Sequence, residues 1–226
     1  MTIDDIDFGQ LYRDHMAQAG GKEKPASAWD AKAAEMQQKS SDSPYTQAFI
    51  ERTDLSGCDT LLDMGCGTGA IGLALAPQMQ QVTGVDYSAG MLQAFQDNAH
   101  ALGLSNTRTI QRAWEDNWDD IPQCDLVIAS RSTAVMDMAD ALKKLDRTAL
   151  KRVCLTNLVG GSFTDRSMAK ATSRDVPSKP DYIYILNILY QMGRHPRLDY
   201  IDASGHSGGE GFQWAFISWD TGNAPR

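Results

Sequence analysis

The sequence has no C-x-x-C pair: its four cysteines, Cys58, Cys66, Cys124 and Cys154, stand singly along 226 residues. That spacing disfavours zinc sites and disulfide frameworks and fits buried free thiols in a reducing compartment, so no metal centre is expected. No apolar run approaches the length of a membrane span. The opening Met-Thr-Ile-Asp-Asp-Ile-Asp is acidic and lacks the basic-then-apolar plan of a secretory leader. A cytoplasmic protein with no membrane partner is the expectation. Positive charge is scarce too: the formal net charge is −8 and the pI near 4.9. Such a balance repels a phosphate backbone and disfavours nucleic acid as a partner. The densest basic groupings, around Lys143 to Arg152 and Arg194 to Arg197, read as solvated helix ends or loops. Length points to one α/β domain behind an amino-terminal extension, with no indication of oligomeric state.

What the chain does have is the stretch Thr60 to Ala76, T-L-L-D-M-G-C-G-T-G-A-I-G-L-A-L-A. Leu61 and Leu62 deliver an acid, Asp63, and then Gly65, Gly67 and Gly69 fall at every second position before a helical pattern. Strand, tight turn and helix follow in order. Glycines there let backbone adopt φ > 0 or approach a ligand closely, and the turn ends at a helix N-terminus with unpaired N–H groups. The words G-C-G-T-G-A also fit a dinucleotide fingerprint. Three features argue against a nicotinamide cofactor: an acid two residues before the first glycine, a third glycine at Gly69, and no evident nicotinamide site downstream.

The pattern Asp-x-Gly-x-Gly-x-Gly resembles the first motif of the class I S-adenosylmethionine-dependent methyltransferases. The resemblance runs from about Tyr45 to the C-terminus. It implies a Rossmann-like α/β fold, with a seven-stranded sheet, mostly parallel with an antiparallel C-terminal strand, and helices on both faces. It divides the chain into an N-terminal helical arm or lid, 1–43, and a methyltransferase domain, 44–226. It also implies S-adenosyl-L-methionine as cofactor, held in part by Asp63, Gly65, Cys66 and Gly67. Asp86 lies 19 residues past Gly67, the spacing at which a second strand presents an acid to a ribose, and it matches the family's ribose-binding position. Tyr87 and Met91, which enter the helix that follows, are assigned to the cofactor as well.

A third strand is expected over 106–111, and the family holds adenine at its end. The usual Gly-Asp-Ala wording is missing there; Glu115 or Asp116 is the candidate acceptor, and Trp114 with Glu115 is preferred. Asp125 to Ala129 reads as a buried fourth strand, from which Ser130, Arg131 and Ser132 emerge toward the methionine tail or the acceptor. Ser130 is assigned to the cofactor. Arg131 suits either an acceptor bearing a carboxylate or phosphate or a loop cap made through backbone hydrogen bonds. There is no Asn-Pro-Pro-Tyr tetrad, which lowers amide or exocyclic-amine methylation.

Around these motifs, Phe8, Leu11, Tyr12 and Met16 make one helical face in a segment that Gly20-Gly21 breaks, which reads as a mobile arm. Ser27 is expected to cap a second helix. Ser43-Pro44 is a helix-start signal, and the resemblance places Tyr45 near the acceptor. A helix is expected over 134–145, a fifth strand over 152–157, and a substrate-facing insertion over 160–179, too long for an ordinary connection. A helix over 181–192 and an antiparallel pair, 198–201 with 212–219, complete the chain, with Phe212, Trp214 and Phe216 on one core face.

Transfer from a sulfonium needs alignment more than a catalytic group, so no catalytic residue is assigned. His195 is the candidate base and acceptor contact if a proton must leave. A small-molecule acceptor is the first expectation. Methylation of protein or RNA, or a non-catalytic donor-binding module, are the alternatives.

Overall fold

The computed structural model describes residues 2–20, 25–37, 43–160, 178–203 and 212–222. Successive side chains on a strand point to opposite faces, and in β1 (Thr60–Met64) this sends Leu62 and Met64 to one apolar layer and Leu61 to another. Covering both faces explains why β2 (Gln81–Asp86), β4 (Cys124–Ala129) and β5 (Ala149–Leu158) carry long buried runs rather than alternating ones. With β3 (Thr107–Gln111), β6 (Arg197–Ala203) and β7 (Phe212–Asp220) they form a seven-stranded sheet ordered β3-β2-β1-β4-β5-β7-β6. Strands β1 to β5 pair in parallel, and β7 runs antiparallel to both neighbours. The order reverses between β1 and β4, so a crevice opens beyond their C-terminal ends.

Among the described residues three helices carry the Leu62 layer: α1 (Phe8–Gln18), α6 (Met138–Thr148) and α7 (Tyr182–Gln191). On the Leu61 side lie α3 (Pro44–Arg52), α4 (Gly72–Leu75) and α5 (Ala89–Ala101). Their starts follow local chemistry. Ser43 accepts from Thr46 N at 3.1 Å ahead of Pro44, Ser88 accepts from Met91 N at 3.1 Å, and Asp137 accepts from Asp140 N at 3.0 Å.

Several boundaries differ from expectation. Helix α6 begins at Met138, not Ala134, because Asp137 is the residue that caps it, while Val135 is buried and gives its carbonyl to the Tyr12 hydroxyl at 2.9 Å. Strand β5 begins three residues before Arg152. Lys151 and Arg152 are tolerated there because Asp125 meets the first at 2.9 Å, and Asp54 and Asp220 meet the second at 2.8 and 2.9 Å. Of the three aromatic residues expected on one face, Trp214 and Phe216 are buried against α3, whereas Phe212 is exposed. Most of the insertion expected over 160–179, namely 161–177, and most of the connection expected over 202–211, namely 204–211, fall outside the described residues.

The first helix is not a free arm. Tyr12 and Met16 are buried in the Leu62 layer, and Arg13 meets Asp137 at 3.0 Å; an amphipathic helix of this length is marginal alone and gains its stability by burying its apolar face. Helix α2 (Ala26–Gln37), which starts one residue ahead of Ser27, packs Ala33 on Met91 and Ala94 of α5. Asp30 accepts from Ser88 Oγ at 2.6 Å and from Gly90 N at 2.9 Å, placing a carboxylate at the N-terminus of α5. Gly90 is needed for that contact, since a Cβ there would stand 2.9 Å from the Asp30 Cα. Replacing Asp30 by Ala should speed amide hydrogen exchange across 26–37 while leaving protection of β1 to β5 unchanged. Unaltered exchange in α2 would show that the Ala33 packing holds the helix by itself.

Candidate active site

The three glycines after β1 all have positive φ, +70° at Gly65, +53° at Gly67 and +91° at Gly69, yet they do different work. A Cβ on Gly65 would sit 2.3 Å from the Ser132 Cβ, and one on Gly69 would sit 2.6 Å from the Leu73 side chain and 2.8 Å from Phe95. Those two are demanded by packing. At Gly67 a Cβ would meet only the Met91 sulfur at 4.0 Å. Open space therefore lies over Gly67, bordered by buried Met91. The turn is moored to β2 where Gly65 N and Cys66 N donate to the Val85 carbonyl at 2.7 and 3.0 Å. Cys66 itself is buried, and burial pushes its thiol well above the usual range.

Asp86 ends β2 beside this opening. One carboxylate oxygen accepts from Gly67 N at 3.0 Å and the other from Ser88 N at 2.9 Å. Burial nevertheless raises its pKa, outweighing those hydrogen bonds. Asp63 lies beneath the turn, 3 % exposed, and accepts from Gly72 N at 3.2 Å at the start of α4. It supports the turn from below.

Past Tyr87 a cavity of about 350 Å³ is lined by Tyr87, Gln111, Arg112, Ala113 and Asp116. Arg112 Nε is buried there with no hydrogen-bond partner among the described residues. Trp114 and Glu115 do not line it. Trp114 turns onto Trp118, with ring centroids 5.4 Å apart, and Glu115 is exposed. Asp116 points back instead, accepting from Ala113 N at 2.8 Å.

On the other side of the glycine turn, the chain leaving β4 meets α3. The Tyr45 hydroxyl lies 2.8 Å from Ser130 Oγ and 2.7 Å from Thr156 Oγ1, and burial raises its pKa. Thr156 Oγ1 also accepts from Arg131 N at 3.0 Å, and Ser132 Oγ donates to the Met64 carbonyl at 2.8 Å. Arg131 has φ +54°, and its guanidinium lies 4.3 Å from the Tyr45 ring centroid. Thr156 was not foreseen; a hydroxyl near the C-terminal end of a buried strand, in V-C-L-T-N-L, is the signal that marks it.

His195 is not at this cleft, which corrects its assignment as base and acceptor contact. Helix α7 carries the chain back to the N-terminal edge of the parallel strands. There Arg194 pairs with Asp146 at 2.7 Å, and Arg197 opens β6 opposite Ser218. His195 instead lines a separate surface cavity of about 500 Å³ with Asp4, Tyr190, Gln191 and Gly193.

The methyltransferase-domain family matches residues 61–151, spanning β1 to the start of β5. An uncharacterized protein of Haemophilus influenzae is 38 % identical over 216 residues, covering 94 % of this chain and 81 % of that protein. The chain belongs to the class I S-adenosylmethionine-dependent methyltransferases. Solved structures of the family share its fold at low identity. A SAM-dependent methyltransferase from Aquifex aeolicus superposes with a TM-score of 0.61 at 14 % identity, over 87 % of this chain and 99 % of that one. Magnesium protoporphyrin IX methyltransferase from Synechocystis PCC 6803, solved with bound SAH, gives 0.56 at 15 %, over 94 % and 99 %.

The cofactor of this methyltransferase is S-adenosyl-L-methionine, and the residues present fit it: bare main chain at Gly67, a paired acid beside it, and a cavity holding an unpartnered guanidinium nitrogen. Among the described residues no cluster of His, Cys, Asp or Glu could hold a metal ion, and no helix is long and apolar enough to cross a membrane.

Burial lifts the Asp63 pKa to about 7, with the neighbouring Asp86 charge adding to the effect. Because the folded value lies above the unfolded value of roughly 3.9, the folded state binds the proton more tightly. Stability from this group is then highest below about pH 4 and declines as pH rises toward about 7, where the decline levels off. Asp86 shifts in the same direction. Asp63→Asn should flatten the fall in Tm between pH 5 and 7 relative to the native protein. Parallel Tm–pH curves for the two proteins would place the titration elsewhere.

Proposed function

We propose that this methyltransferase acts on a small-molecule acceptor, with the donor lying over Gly67 and the acceptor entering between α3 and the end of β4. The observation that carries the donor position is the free space over Gly67 beside an acid, Asp86, that the backbone N–H groups of Gly67, Ser88 and Tyr87 hold in place. A carboxylate has about four lone-pair sites, so beside its backbone donors Asp86 retains capacity to accept from the ribose. The cavity beyond Tyr87 takes adenine in this reading, with Asp116, rather than Glu115, on its wall. Ser130 stands at the methyl-bearing end.

When bound, S-adenosylmethionine supplies a methyl group on positive sulfur: the S–CH3 bond breaks with its electron pair remaining on sulfur, and an acceptor lone pair forms the new bond to carbon. The chain's contribution is alignment and exclusion of water. Helix α3 covers the acceptor side, with Tyr45 buried against Trp214 at 5.9 Å between ring centroids. A small acceptor is supported by that enclosure and by the net charge of −8, which works against a polyanionic strand. Helix α2, held on α5 beside Asp86 by Asp30, acts as a lid over the sugar in this reading.

Titration calorimetry with S-adenosylhomocysteine tests the donor site. Asp86→Ala should weaken binding roughly tenfold or more through loss of charge-assisted hydrogen bonds, and Gly67→Val should abolish it in a protein that still folds, because the added side chain enters space left open in the native turn. Native affinity in both variants would put the donor elsewhere. Incubating extract with labelled donor tests the acceptor class: label in low-mass products is expected, and label confined to protein or RNA would overturn the small-molecule reading.

A further inference from the structure

Arg131 stands apart from the other arginines. Among the described residues every other arginine meets an aspartate, except Arg108, which donates to Thr83. The Arg131 guanidinium has neither kind of partner there, in a chain with 29 acidic residues against 21 basic ones. Such a cation has been kept clear of acids that outnumber it.

It is also held rather than loose. The Arg131 backbone sits at φ +54°, a region that residues other than glycine, asparagine and aspartate seldom occupy. Its amide is fixed on Thr156 Oγ1, and its neighbours are fixed too, Ser130 on Tyr45 and Ser132 on Met64. Backbone strain of this kind persists where surrounding contacts over-determine it, and it concentrates at functional sites. The side chain then lies 4.3 Å over the ring of Tyr45, itself tethered by two hydroxyls. The contact with the ring uses none of the guanidinium's N–H donors on an acid, and such a planar fork is suited to a two-pronged grip on an oxyanion. Ser132, the next residue, packs against Gly65, so the cation borders the donor turn.

We propose that Arg131 binds an oxyanion, carboxylate or phosphate, carried by the methyl acceptor, and so selects anionic acceptors. The inference rests on the cleft being the methyl-transfer site. Its test uses the full chain, tritiated S-adenosylmethionine, and a metabolite extract split by ion exchange into anionic, neutral and cationic pools. Label should enter the anionic pool. Arg131→Gln should raise the apparent KM for that pool roughly tenfold or more, with kcat less affected and S-adenosylhomocysteine affinity unchanged, and Arg131→Lys should restore part of the loss. Phosphatase treatment of the pool separates the two sources: loss of labelling indicates a phosphate, and persistence a carboxylate.

Label confined to the neutral or cationic pool, with donor binding intact, would overturn the anionic acceptor and leave methyl transfer standing. A fall in S-adenosylhomocysteine affinity in Arg131→Gln, without a change in KM for the pool, would assign the arginine to the donor's own carboxylate and also overturn it. Failure of the native protein to bind S-adenosylhomocysteine, or binding with no label in any pool, would remove the reading of the cleft on which the inference rests.

Discussion

The Asp86 carboxylate ties three parts of the chain together at one point. It takes Gly67 N from the glycine turn and Ser88 N from the start of α5, and Ser88 in turn donates to Asp30 of α2. Removing a carboxylate from water is costly unless hydrogen bonds replace the solvent, and here the replacements are backbone groups whose positions are thereby set. The turn cannot drift from β2, nor α5 from the turn, without exposing or orphaning that charge. Burial still leaves the acid with a raised pKa, so the site stores an electrostatic penalty that further hydrogen-bond donors would relieve.

The three glycines that look equivalent in the sequence illustrate how packing assigns roles. Gly65 and Gly69 are fixed by close neighbours on β4's exit loop and on α4 and α5. Gly67 alone among them is bare for reasons other than crowding. The opening is therefore bordered largely by main chain: what the sequence has to supply is a strand, a turn with room above it, and an acid one strand over.

Much of the fold was legible because its determinants are local. The buried runs of β1, β2 and β4, the Ser43-Pro44 and Ser88 caps, and the spacing from Gly67 to Asp86 each carry their own signal. Legibility failed where a choice depends on a distant partner. Trp114 and Asp116 lie in one short polar stretch, and only the position of Trp118 and the Ala113 N–H that Asp116 accepts from decide which one turns to the core and which stays near the cavity. His195 could be placed only by knowing that α7 returns to the far edge of the sheet, where Asp146 receives Arg194. The docking of α1 depended likewise on Val135 and Asp137, more than a hundred residues away.

The cleft between α3 and the end of β4, the proposed acceptor side, is built differently, from side-chain hydroxyls, and their protons set what it offers. Tyr45 is kept neutral by burial, so its hydroxyl has one hydrogen to share between Ser130 and Thr156. Thr156 Oγ1 already accepts from Arg131 N. If Tyr45 donates to Thr156, then Ser130 donates to Tyr45 and turns only lone pairs to the cleft. If Thr156 donates to Tyr45, the phenol donates to Ser130, whose own hydrogen is released toward the cleft. Ser130 thus presents either an acceptor or a donor by rotation of three hydroxyls, with no ionisation and no movement of heavy atoms. Beside it Arg131 offers fixed positive charge. In the proposed acceptor cleft, one half of the pair would adapt to the acceptor's protonation state and the other would not, giving tolerance in hydrogen bonding and selectivity in charge.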